Sequence, residues 1–178
     1  MTEPLLPPSV RSPERQTLEE FLDYYRGVFI RKADGLDNQQ ARTRVGASDL
    51  DVLGLVRHMA GVERFWFSQS LDGSNEPDFW LNPLDPDDED ADFHHGLGDT
   101  LAEAVSAWHS AVADARVRVA AQTSLDDVTA VHVGPPDNPA RHGPRSLRWL
   151  LVHMIEEYAR HCGHADILRE TIDGTVGD

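Results

Sequence analysis

One cysteine, Cys162, is the only thiol in the 178 residues. No internal disulfide and no thiolate metal cage can therefore form, and a reducing cytoplasm is the expected compartment. One lysine, Lys32, stands beside 15 arginines, a skew of the kind that GC-rich codon usage produces. These 16 basic residues face 31 acidic ones, for a formal charge of -15. A surface of that sign repels phosphate backbones and anionic lipid, so neither nucleic acid nor a membrane is an expected partner. No run approaches the roughly 18 consecutive apolar residues of a membrane span, and the proline-bearing start (Pro4, Pro7, Pro8) lacks the basic and apolar regions of a secretory signal. Internal repeats and strands alternating with helices are missing too, which removes solenoids and doubly wound nucleotide folds. Hydrophobic residues, at 40%, suffice for one core in a chain of single-domain length.

What is present is a helical pattern. Residues 1–11 read as an extended arm, 12–174 as one bundle and 175–178 as a tail. Leu18, Phe21, Leu22, Tyr25, Val28 and Phe29 recur at three and four and mark a helix over 13–33. Its start is shared between Ser12-Pro13 and a capping box from Thr17 to Glu20. Ser48 to Asp51 resembles an N-cap ahead of a second helix over 48–69, whose apolar residues cover more than half its circumference and make it central. A capping box from Thr100 to Glu103 opens a third over 99–121, and Ser146 opens a fourth over 146–171, stopped by Asp173-Gly174. Two long loops separate these helices. The first carries the acidic run 85–92, which lacks the turn glycine and terminal glutamate of a calcium loop and reads as solvated charge. The second carries Gly134-Pro135-Pro136, with Val128 to Val133 making at most one short strand. The expected fold is all-α, an up-down four-helix bundle with long surface loops.

Chemistry concentrates on the fourth helix. At about 100° per residue from Glu157, Leu150 and Leu168 fall at about 20°, Met154 at about 60° and Tyr158 at about 100°. His161, at about 40°, lies inside that apolar arc, so Glu157 and His161 point inward, one turn apart. An inward carboxylate is costly unless paired or bound to a cation. His58 borders the apolar arc of helix two, and His, Glu and His from two antiparallel helices would make three ligands of a divalent metal. The plainer alternative is a buried Glu157–His161 hydrogen bond with His58 a satisfied core histidine. The pattern leaves both open.

Two segments carry a resemblance, RHMAGVERFWF over 57–67 and HMIEEYARHCGHADILRE over 153–170. Through them the chain resembles the DinB-like superfamily over about residues 12–174, and within it the DUF664 branch. The resemblance implies a metal held by one histidine on helix two and two ligands four residues apart on the last helix. Those positions are His58, Glu157 and His161. Many members have histidine where Glu157 stands and Arg-Gly-Gln where Cys162-Gly163-His164 follows. Glutamate at that place is similar to the mycothiol-dependent maleylpyruvate isomerase branch. The implied cofactors are a divalent metal, zinc ahead of nickel or iron, and a low-molecular-weight thiol such as mycothiol. The implied partners are that thiol and an electrophile, and a homodimer is compatible.

His164 borders the same stripe and is the candidate catalytic residue, as a further ligand, a donor behind the ligands or a proton carrier. His153 would cap the site from beneath. Glu63 and Arg169 fall in apolar arcs and read as an ion pair fixing helix register, with substrate anchoring as the alternative. Cys162 reads as core, with no neighbouring cation to activate it. His94 and His95, in a loop beside Asp92, read as solvated histidines, with a weak surface metal site as the alternative. The function expected is a metal-dependent thiol S-transferase or isomerase. The alternative is a non-catalytic metal-binding or stress-response bundle.

Overall fold

The computed structural model describes residues 5–80, 88 and 90–177, and among these the regular structure is helical. Helix α1 spans Glu14–Arg31, α2 Val52–Glu63, α3 Leu101–Ala121 and α4 Leu147–Asp173. A wide-turned π-helical segment, Arg64–Leu71, continues α2 without a break, and a short 3-10 turn at Gln40–Arg42 precedes it. The second loop forms two isolated bridges, Val128 with Ser146 and Val133 with Gly143.

Helices α2, α3 and α4 begin where a side chain satisfies a free N–H group of the first turn, and α1 does not. Pro13 precedes α1 without a side-chain cap, so the chain follows the Ser12-Pro13 start rather than the Thr17 box. Helix α2 starts later than expected, at Val52, because the Asp51 carboxylate accepts from Gly54 N–H. Ser48 instead accepts from Leu50 N–H in a turn before the helix. The Thr100–Glu103 capping box and the Ser146 cap form as expected. Gly174 takes the left-handed conformation, φ 76°, that ends α4.

Contacts along the helices give their directions. Helices α1 and α4 run parallel, pairing Glu14 with Arg148 and Lys32 with Asp166. Helices α2 and α3 also run parallel, with Arg57 beside Asp99 and Arg118 beside Asp72. Arg15 donates to carbonyls at the end of α3, so the two pairs are opposed. The order is therefore up, down, down, up rather than the alternating up-down order expected, and α3 starts at the end of the bundle where α2 starts.

The core is drawn from all four helices, including Leu22, Phe29, Leu53, Leu55, Met59, Phe67, Trp108, Leu150, Leu151, Met154 and Tyr158. One polar chain crosses it. Arg26 of α1 forks onto both oxygens of Glu63, at 2.7 Å each. The Tyr158 hydroxyl donates to Glu63 Oε1 at 2.7 Å and accepts from Trp108 Nε1 at 2.8 Å. Glu63 therefore pairs with Arg26, not with Arg169. Arg169 donates to the Lys32 and Asp34 carbonyls and to Asp173, tying the end of α4 to the end of α1.

Candidate metal centre

His58, Glu157 and His161 come together where α2 crosses α4. One ligand atom from each lies within 4.8 Å of the others. The antiparallel crossing accounts for this, since it sets residue 58 beside 161 just as it sets Glu63 beside Tyr158 and Trp66 beside Trp149. The wheel places all three side chains on facing arcs, and burial agrees. His161 is 7% exposed, while His58 and Glu157 sit at the rim, at 21% and 15% of their side chains.

The ring nitrogens have separate partners. His58 Nδ1 meets Asp92 Oδ2 at 2.6 Å, so the ring donates there and keeps a lone pair on Nε2. Phe93 stacks on the same ring at 4.7 Å. His161 directs Nε2 toward Glu157 Oε2 at 3.5 Å and Nδ1 toward His164 Nδ1 at 3.3 Å. Burial first, and then His58, His164 and Arg160 around it, push the His161 pKa down to about 3, so its ring is neutral at ordinary pH. The donor set is thus two imidazoles, that of His161 neutral, and one carboxyl group, with each imidazole backed by a partner on its other nitrogen. That set suits a borderline divalent cation, with the backing characteristic of metal-bound histidines.

Asp92 is the residue that sequence reading missed, because it closes a run taken as solvated charge. Residues 85–87 and 89 of that run lie outside the described residues. Of the rest, Asp88 accepts from His94 Nδ1 at 2.7 Å and Asp92 backs His58. Arg57 anchors the segment by donating to the Ala91 and Asp92 carbonyls. His95 is likewise no solvated loop residue. Its Nε2 donates to the Asp51 carboxylate at 2.9 Å and its Nδ1 accepts from Arg42 at 2.8 Å, which locks the loop to the start of α2.

The other candidates lie nearby. His164 stands behind His161, outside the three-residue cluster. His153 sits one turn before Glu157, with Nε2 3.8 Å from Glu157 Oε1, stacked on Trp149. Cys162 is buried against the Tyr25 carbonyl. Burial pushes its thiol up to about 12, outweighing Lys32, a nearby cation that the sequence reading did not anticipate. Arg169 and Glu63 are both spent on internal partners, as described above.

No curated protein matches the chain. Among solved structures, a conserved protein from Enterococcus faecalis is similar at a TM-score of 0.65 and 19% identity, covering 93% of this chain and 100% of that one. At that identity the likeness speaks to the fold alone. No helix among the described residues is long and apolar enough to cross a membrane. A family model described as mycothiol-S-transferase matches residues 17–174, so the chain belongs to the mycothiol-S-transferase family, consistent with the DinB-like superfamily.

Proposed function

We propose that this protein is a metal-dependent thiol S-transferase that joins mycothiol to an electrophile, with His58, Glu157 and His161 holding a divalent cation, zinc first among the candidates. The observation that carries this reading is the convergence of three donor atoms from two helices, two of them imidazoles backed by Asp92 and His164. Three protein donors leave room for an exogenous group where a closed structural site would supply four. That difference favours the transferase over the purely structural metal-binding alternative.

A divalent cation at these residues supplies Lewis acidity, making a thiol acidic enough to be present as thiolate near neutral pH. The rest falls to the chain. Asp92 fixes the tautomer and orientation of His58. His164 acts through His161 in the same way, the donor-behind-the-ligands role among the three open to it. Phe93 covers one face of His58 and keeps water from it. In the reaction the thiol gives its proton to solvent, and its sulfur electron pair forms a bond to the electrophilic carbon. The leaving group departs with the electrons of the bond that breaks. Cys162, buried and held protonated, takes no part as a nucleophile.

The test is transfer of mycothiol to a simple alkyl halide. Metal-loaded wild type is expected to exceed both the metal-stripped protein and His161→Ala by at least about tenfold. Equal rates for all three and a protein-free control would overturn the reading.

A further inference from the structure

Trp149, His153, Glu157 and His161 follow one another at four-residue intervals along α4. They form one ladder, about 6 Å per step. The last two belong to the triad, and the first two continue toward the start of the helix. Trp149 and His153 stack at 4.7 Å with 18° between their planes. Trp66 closes against both, at 5.3 and 4.9 Å. It reaches them because of the π-helical segment. In an α-helix Phe65, seven residues after His58, would share the His58 face. The wider winding brings Trp66 there instead and leaves Phe65 42% exposed. Such departures from α-geometry gather at functional sites.

The facing wall is built from the second loop. Ala130 and Val131 N–H groups donate to the Leu71 and Ser70 carbonyls at 3.1 Å, pinning the loop to the end of the π segment. Val133 and Gly143 then exchange a pair of bonds at 3.0 Å. Gly134 has φ 98°, and a Cβ there would sit 2.2 Å from the Arg141 carbonyl oxygen, so only glycine lets the loop close this tightly. Between loop and helices lies a cleft of about 650 Å³, within the usual range for a small-ligand site. It runs to His153, one side chain from Glu157.

The cleft walls have a definite chemistry. Trp149 is 41% exposed and lines the cleft. Arg145 lies over Trp149 at 5.3 Å and donates to the Val133, Arg141 and Gly143 carbonyls, so it braces the wall. Arg141 lines the cleft, exposed. No carboxylate is among the lining residues. The exposed part of an indole beside an exposed guanidinium suits a saturated ring with an apolar face and a fringe of hydroxyls. We propose that this cleft is the saccharide subsite of the thiol cosubstrate. The glucosaminyl-inositol half of mycothiol packs against the exposed part of Trp149 beside Arg141, and the cysteinyl sulfur extends along the ladder toward the triad. The inference rests on the transferase reading above.

The probe is glucosaminyl-inositol itself, which carries no thiol. Calorimetric titration of the metal-loaded wild type is expected to show binding, and Trp149→Ala to weaken it at least tenfold, about 1.4 kcal/mol. Arg141→Ala, an exposed loop change, should weaken it as well. The preference for mycothiol over N-acetylcysteine in transfer should fall at least about tenfold in Trp149→Ala, with metal content unchanged by elemental analysis. Fragment affinity and thiol preference that survive both substitutions would overturn the subsite. So would a Trp149→Ala protein that loses only affinity for the electrophile, since the cleft would then belong to that substrate. Wild type that binds the fragment but transfers neither thiol would support the cleft and remove the transferase reading. Equal use of both thiols by the wild type would do the reverse.

Discussion

Asp92 shows how much a single acceptor can decide. A histidine offers a metal one nitrogen, and the partner on the other nitrogen sets which one and at what angle. With Asp92 Oδ2 2.6 Å from His58 Nδ1, Asp92→Ala is expected to lower metal affinity about 10- to 100-fold. Titration against a competing chelator measures this, and an unchanged affinity would remove Asp92 from the site. His161 carries a pH dependence. Its folded-state pKa of about 3 lies below the ordinary histidine value, so between the two the unfolded chain binds the extra proton. Stability of the metal-free protein should therefore fall as pH drops from about 6.5 toward about 3. Urea unfolding across that window should show a smaller loss for His161→Gln, and equal losses would contradict the assignment. Cys162, its thiol raised to about 12 by burial, should resist iodoacetamide at pH 8 until the chain is unfolded. Rapid labelling of the native protein would contradict its burial. Glu157 and His161 were legible in the sequence because the helical period ties spacing to direction. Asp92 was not, because a loop has no period.

At the scale of the helices, the Arg26–Glu63–Tyr158–Trp108 chain joins all four. Burial first and Glu63 second push the Tyr158 hydroxyl well above its ordinary pKa, which keeps it a donor to Glu63. Removing Glu63 alone would leave a buried guanidinium with only the half-exposed Asp23 carboxylate, at 2.9 Å, as a charged partner. Glu63→Ala is expected to cost about 3–5 kcal/mol in denaturant unfolding. The combined change Arg26→Met with Glu63→Leu should cost much less, and equal costs would show that the pair does not act as a unit. Glu63 could be recognised from sequence as an inward charge, but its partner could not. Periodicity shows which residues face the core and says nothing about which helix stands opposite, so the sequence points to Arg169 and leaves Arg26 unremarked. The π segment was equally hidden, since Phe65, Trp66 and Phe67 are apolar and fit an α-helical stripe.

Across the whole molecule, four amphipathic stripes made the all-α bundle readable, while the path between them was less so. Residues 90–100 lie beside α2, which lets a segment remote in sequence deliver Asp92 and Phe93 to His58. The connection from 122 to 146 closes a cleft at the other end of the same ladder on α4. The candidate metal site, its backing residues and the cleft thus share one face, where α2 crosses α4. The most direct measurement is a mycothiol titration of the cobalt-substituted protein followed by visible absorption. One cobalt per chain is expected, with a spectrum that shifts on adding mycothiol and is lost in His161→Ala. A spectrum indifferent to mycothiol, or cobalt bound equally well by His161→Ala, would contradict the account.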